Sequence, residues 1–225
     1  MARRCHPSVV IAAHLPGTAV DRTVNDVPAT SARRLSREDR RAHFIDVAAR
    51  LILERGVESV TMESVAAAAG VSKGLGYAYF DNRADLLMAV LDREMTANES
   101  RVAEAMATAT DFEGKIRGAV GAWFDTVAER GALLGPLLNA GQIRGALEKR
   151  RRTRLRRWEA FYGRLAADEL GIPEPQAVAA AAILLAGLSG VLDRWVIGKD
   201  PRRLLEETFV ELAMRGLQGL ASTVP

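Results

Sequence analysis

The sequence predicts an all-α chain, and three observations carry that prediction. Apolar residues recur at helical spacing from residue 36 onward. Helix-start residues and glycine or proline stops punctuate those stretches. No segment alternates apolar and polar residues long enough to demand a strand. A chain of 225 residues forms one ordinary domain, or a small domain joined to a larger one, and either buries a core without staples.

The elements follow in order. Residues 1–36 contain Pro7, Pro16 and Pro28 and no helical period, so they read as a disordered extension. His6, Pro7 and His14 break the apolar run that a signal peptide requires. Ser36-Arg-Glu-Asp39 is similar to a capping box and opens helix one, which carries Phe44, Ala48, Leu51 and Ile52. Gly56 ends it as a left-handed cap. Thr61 caps a short second helix with Met62, Val65, Ala66 and Ala69. Gly70 is a turn, and Ser72 caps a third helix to about Tyr79. Asn82 and Asp85 start a fourth, to roughly Ala107. Asp111 caps a fifth that ends near Gly131, and Pro136 interrupts a short sixth segment. A long helix from about Gly141 to Leu170 stops at Gly171 and Pro173. Another runs from about Pro175 to Ile197 and stops at Gly198. Asp200 and Pro201 start the last, to about Leu220.

The 18 residues from Pro175 to Leu192 carry no charge, at the edge of a membrane-spanning length. Six alanines and two glycines keep the stretch mildly hydrophobic, and Asp193-Arg194 follow at once. A buried helix at a core or a dimer seam is the expectation, with Ala186, Gly187 and Gly190 allowing close backbone approach.

Thirty-one basic and 28 acidic residues leave a net charge of +3. The excess sits in residues 1–36 (+3) and 144–157 (+7), whereas residues 37–83 are neutral. One cysteine, Cys5, excludes an internal disulfide framework. With only His43 lying outside the N-terminal extension, no metal site is expected. There is no Ser/His/Asp set and no phosphate-cradling loop, and Gly74-x-Gly76 is too short and too helical for a nucleotide. Neither catalytic residues nor a cofactor is therefore expected.

The informative stretch is the pair of short helices at 61–69 and 72–79, joined at Gly70-Val71. That spacing is a helix-turn-helix, in which the second helix enters the DNA major groove. The run RRAHFIDVAARLILERGVESVTMESVAAAAGVSKGLGYAYFDNRADLL resembles the N-terminal domain of TetR/AcrR-type transcriptional regulators. Ala48, Leu51-Ile52, Gly56, Thr61, Val65-Ala66, Ala69-Gly70-Val71-Ser72, Lys73-Gly74, Tyr77, Tyr79-Phe80 and Leu86-Leu87 carry the resemblance. Three positions depart from it. Gly76 stands where the family usually has Leu, Arg83 replaces a frequent Lys, and Ala78 removes one possible DNA contact.

The resemblance implies a ligand-responsive regulator that works as a cytoplasmic homodimer, with no membrane partner. It is expected to repress by binding a palindromic double-stranded DNA operator, and to be released by a small, mainly apolar effector. It divides the chain into the extension (1–36), a DNA-binding domain (37–83) and an effector and dimerisation domain (84–225). The expected DNA contacts are Arg40, Arg41, Thr61, Ser72, Lys73, Gly74, Tyr77, Tyr79 and Arg83. Thr61 and Ser72 stand at helix N-termini that favour phosphate, and Arg33, Arg34 and Arg37 offer a basic arm. The zero net charge of residues 37–83 is compatible with DNA binding if Glu38, Asp46, Glu54 and Glu58 lie away from the groove and two copies bind together.

Leu184, Leu188, Val191, Leu205, Phe209 and Leu212 are the expected dimer seam. Trp123, Phe124, Leu137, Leu138, Asn139, Phe161, Tyr162 and Trp195 are the candidate effector pocket. The Arg-rich run 144–157 spreads charge right round its helix, with Arg150, Arg154 and Arg157 on one face. It reads as a solvated face, as a site for an anionic effector or partner, or as a nonspecific attraction for DNA. Two other classes compete with the regulator: a helical interaction protein with a weakened DNA motif, and an enzyme.

Overall fold

A computed structural model describes residues 36–222 apart from Lys199. The extension before Ser36, with Arg33 and Arg34, lies outside the described residues. The described residues form eight α-helices and no strand: α1 (Arg37–Arg55), α2 (Met62–Ala68), α3 (Lys73–Tyr77), α4 (Arg83–Ala107), α5 (Phe112–Leu138), α6 (Arg144–Leu170), α7 (Glu174–Ile197) and α8 (Arg202–Ala221). They pack as two compact units, 36–90 and 91–222, with the boundary inside α4.

In the first unit, local chemistry sets each helix start. Ser36 Oγ accepts from the Asp39 N–H at 3.0 Å, and the Asp39 carboxylate accepts from the Ser36 N–H at 3.3 Å. This reciprocal cap, worth about 1 kcal/mol, launches α1, whose apolar stripe of Phe44, Val47, Ala48, Leu51 and Ile52 is buried. Gly56 ends α1 at a positive φ of 82°, but its ψ of 163° is extended rather than left-handed helical. The expected left-handed cap is thus replaced by a direct entry into a single 3-10 turn at Val57–Ser59. Thr61 and Ser64 cap α2 reciprocally. Gly70, at φ 68°, makes the turn. Val71 then donates to the Ala66 carbonyl at 3.0 Å, which fixes where α3 begins. α3 stops at Tyr77, because the Tyr79 and Phe80 N–H groups both close onto the Gly76 carbonyl at 3.1 Å.

The second unit departs from expectation at α5. That helix runs through both Gly131 and Pro136 to Leu138, so Pro136 does not interrupt a separate segment. Gly131 costs about 1 kcal/mol in a helix interior, but Leu133, Leu134 and Leu137 beyond it are at most 3 % exposed, and their burial outweighs that cost. Pro136 lies in the last turn, where its missing N–H forfeits one bond near a helix end. Gly141–Ile143 form a 3-10 turn, so α6 begins at Arg144.

α6 and α7 touch at backbone level. A Cβ on Gly163 would lie 2.5 Å from Val178 Cγ2 and 2.8 Å from Val178 Cα. Around this contact Phe112, Phe124, Ala177, Leu188, Val210 and Leu217 form the main core. α7 is long and apolar enough to cross a membrane by length and composition alone. Here Ala177, Ala181, Leu188 and Leu192 are buried, while Ile183 on its other face is 72 % exposed.

Candidate nucleic-acid interface and effector site

α2, the Gly70 turn and α3 place most of the candidate DNA contacts on one surface. Thr61, Ser72, Lys73, Gly74 and Tyr77 are exposed, and Tyr77 keeps 46 % of its surface in water. Ser72 Oγ accepts from the Leu75 N–H at 3.4 Å and caps α3. The Lys73 ammonium lies 5.8 Å from the Tyr77 ring centroid. It also pairs with Glu63 on α2. Hydrogen bonding to Glu63 raises the Lys73 pKa, and hydrogen bonding to Lys73 lowers that of Glu63. The sequence reading did not flag Glu63. It is an acid among the candidate DNA contacts, and a phosphate at Lys73 must compete with it.

The remaining candidates are less free. Tyr79 is half-buried, with its ring 5.7 Å from Phe44. Arg40 is half-buried at the start of α1, and the Arg41 guanidinium sits 5.0 Å over the Phe80 ring. Arg83 is engaged inside the protein. Its Nε donates to the Val60 carbonyl at 2.5 Å, and its Nη2 to the Val57 carbonyl at 2.7 Å and to Glu58 at 3.2 Å. Its planar fork ties the α1–α2 connection to the start of α4 from two separate nitrogens, whereas a lysine would have to reach all the acceptors from one.

Gly76 is buried. A Cβ there would touch Met62 Cε at 3.4 Å and Phe44 Cε1 at 3.8 Å. The room that a leucine would take is therefore already bounded by Met62 and Phe44.

The expected pocket residues separate into two groups. Trp123, Phe161 and Tyr162 line an open groove of about 390 Å³ between α4, α5 and α6. Trp123 and Tyr162 also border a second, almost wholly apolar cavity of about 60 Å³, reached by Ile116, Ala181, Leu185 and Phe209. Phe124, Leu137, Leu138, Asn139 and Trp195 border neither. Phe124 is fully buried between the Trp195 ring, at 5.1 Å, and the Arg202 guanidinium, at 5.5 Å. Leu137 is core, and Asn139 caps α5 on the Gly135 carbonyl at 2.9 Å. Burial raises the Tyr162 phenol pKa to about 12.

Asn98, Met106, Trp158 and Arg164 also line the groove, and the sequence reading missed them; Arg157, which lines it too, belongs to the Arg-rich run that the sequence offered as a solvated face or an anion site. The available signal was Asn98 itself, a polar residue one turn after Glu94 and flanked at helical spacing by Leu91, Val102 and Met106. One turn before Asn98 on α4, Glu94 is 6 % exposed and takes two hydrogen bonds from Arg130, at 2.7 and 2.8 Å. Burial pushes its pKa up, but Arg130 and Arg93 outweigh that and hold it below the usual carboxylate range. Among the described residues, no group of three or more His, Cys, Asp or Glu is arranged to hold a metal ion.

The Arg-rich face is explained by α4. Arg150 pairs with Asp92, and Arg154 and Arg157 both pair with Glu99. Of the expected seam, Leu188 is core, and Leu184, Val191, Leu205 and Phe209 pack against that core, whereas Leu212 is 67 % exposed.

Residues 44–90 match a family model described as bacterial regulatory proteins, tetR family. The HTH-type transcriptional activator FasR of Mycolicibacterium smegmatis is 36 % identical over 94 residues, 42 % of this chain and 43 % of that protein. The HTH-type transcriptional regulator TtgR of Pseudomonas putida is 40 % identical over 55 residues, 24 % of this chain and 26 % of that protein. The matched segment thus spans less than half the length of these curated relatives. Fold likeness extends further. The fatty acid degradation regulator FadR from Bacillus halodurans superposes with a TM-score of 0.61 at 21 % identity, over 80 % of this chain and 96 % of that one. A transcriptional regulator from Rhodococcus sp. gives a TM-score of 0.64 at 22 % identity, over 82 % of this chain and 99 % of that one.

Proposed function

We propose that this chain, whose residues 44–90 match the tetR family of bacterial regulatory proteins, is a regulator of that family that represses transcription by binding a palindromic operator as a homodimer and is released by a small, mainly apolar effector. Its relatives and fold are those of transcriptional regulators, not of enzymes. In this reading residues 37–83 bind DNA, residues 84–225 bind the effector and the second copy, and the protein works in the cytoplasm without a membrane partner.

The observation that carries the reading is the exposed set Lys73, Gly74 and Tyr77 on α3, beside the Thr61 and Ser72 caps. Lys73 and Tyr77 can meet base edges or phosphate, and Gly74 lets the backbone approach. Thr61, Ser72, Tyr79, Arg40 and Arg41 serve register rather than sequence. Arg83 acts from behind by holding the α1–α2 connection. The exposed apolar residues Ile183, Leu204 and Leu212 on α7 and α8 are the surface offered to the second copy. Two-fold pairing sets the recognition helices about 34–36 Å apart.

The test is gel retardation with the DNA upstream of the protein's own gene. Specific, salt-sensitive binding is expected. Tyr77→Ala is expected to abolish it while sedimentation still shows a dimer. Binding that survives Tyr77→Ala shows that α3 is not the reading helix. No specific binding to any genomic fragment favours a helical interaction protein. A reporter fused to the bound promoter reads the sign of regulation.

A further inference from the structure

The groove between α4, α5 and α6 carries a chemical signature that the apolar cavity beside it lacks. Asn98, 1 % exposed, lines it. The Thr126 hydroxyl donates to Asn98 Oδ1 at 2.6 Å, which holds the carbonyl end of the amide. Asn98 Nδ2 is buried and has no hydrogen-bond partner. A buried N–H left unmade is expensive, so proteins retain one mainly where something else completes it.

Charge decides what completes it. Glu99 is the one acid lining the groove, and it is already held by Arg154 at 2.9 Å and by Arg157 at 2.7 Å. Arg164 also lines the groove and forms no ion pair with the described residues. Two arginines and one neutralised acid leave the lining net positive. Its walls are aromatic: Trp123 and Trp158 meet edge-on at 5.3 Å, and Phe161 and Tyr162 at 5.2 Å.

Size separates the two cavities. About 150 Å³ of dry cavity accepts benzene, so the apolar cavity of about 60 Å³ is too small for a ring. The groove of about 390 Å³ is not.

We infer that this groove binds an organic monoanion with a flat aromatic body. Its carboxylate oxygen accepts from Asn98 Nδ2, its charge faces Arg164 and Arg157, and its ring lies against Trp123 and Phe161. The inference deepens the effector-binding reading above and rests on it.

Calorimetric titration of the full chain with three probes of one shape tests this: 2-naphthoate, 2-naphthylmethanol and 2-naphthylmethylammonium. Naphthoate is expected to bind at least about tenfold tighter than the neutral alcohol, and the cation is expected not to bind. Asn98→Asp sets a carboxylate against the ligand's own and is expected to weaken naphthoate about tenfold. Arg164→Gln, on an exposed side chain that leaves the core untouched, is expected to weaken it about threefold. Equal affinity for the three probes, a preference for the cation, or no binding of any probe overturns the inference. So does naphthoate binding that is indifferent to both substitutions. Retardation run with naphthoate separates this inference from the effector reading. Binding with the expected pattern but without release of DNA keeps the site and removes its effector role.

Discussion

The two units satisfy their polar groups over different distances along the chain. In residues 36–90, Ser36 with Asp39, Thr61 with Ser64 and Ser72 with Leu75 close within three residues. Residues 91–222 keep one such local cap, Asp111 with Gly114, but the bonds that hold their helices to one another are remote. Asn98 and Thr126 lie 28 positions apart, Glu94 and Arg130 lie 36 apart, and Arg202 and Asp125 lie 77 apart. Losing a capping residue costs only about 1 kcal/mol, because water can take over at an exposed helix end. Losing one partner of a remote pair between buried helices costs more, because it strands the other away from water. The larger unit should therefore be the more sensitive of the two to single polar substitutions.

The sharpest way to break that contrast is Glu94→Ala. Removing one partner of a fully buried ion pair costs about 3–5 kcal/mol. The Arg130 side chain is 38 % exposed, so about 2–3 kcal/mol is expected once solvent screening is allowed for. Chemical denaturation at neutral pH reads it. The sign with pH follows from the lowered Glu94 pKa. Its stabilisation is fully present above the ordinary value of 4.5 and fades as pH falls through the lower folded value. The gap between the two proteins should narrow in acid. A constant gap would mean that the variant acts through a packing defect alone.

Gly163→Ala probes the same unit without touching charge. Its new Cβ meets the Val178 backbone, and overpacking of that kind costs about 1–3 kcal/mol. The gain in helix propensity returns up to about 1 kcal/mol, so a net loss of about 1–2 kcal/mol is expected in thermal melts. An unchanged melting temperature would show that α6 and α7 can slide apart freely.

The same contrast explains what could be read from the sequence. Caps, the Gly70 turn and the apolar stripe of α1 are local codes, and the structure reproduces them at Ser36, Thr61, Ser72 and Asp111. Gly131 and Pro136 read as stops by local rules, but the distant core that buries Leu133 and Leu137 overrode them. Of the expected pocket, Trp123, Phe161 and Tyr162 reach a cavity, while Phe124 and Leu137 have the same sequence character and fill the core. Only the fold tells which side of a helix faces a void. Arg83 follows the same logic inside the legible unit. Its acceptors lie 23 and 26 residues away, beyond any local pattern, and motif position alone suggested phosphate.

Arg83→Gln sharpens that point. Glutamine cannot serve three acceptors at once, so the first unit should lose about 1–2 kcal/mol. Operator affinity should fall only as far as the recognition helix loosens. The slope of log affinity against log salt is the deciding measurement. If Arg83 grips a phosphate, the substitution reduces that slope by about one, whereas a purely internal role leaves it unchanged.

The smallest effect is expected at Gly76, where local and remote demands meet. Helix propensity favours alanine over glycine by about 1 kcal/mol, and Gly76 sits inside the five-residue α3. The remote demand is weak for one carbon, since the new Cβ would stand 3.4 Å from the flexible end of Met62. Gly76→Ala should therefore stabilise the first unit by about 0.5–1 kcal/mol and leave operator affinity equal or slightly tighter. Gly76→Leu adds three further carbons against Met62 and Phe44, both buried, and should reverse the sign. A leucine variant as stable as the alanine one would show that Met62 yields. The glycine would then reflect a need for backbone freedom in α3 when it meets DNA. Hydrogen exchange of the Gly76–Phe80 amides, compared between the two variants, distinguishes a packing constraint from a flexibility requirement.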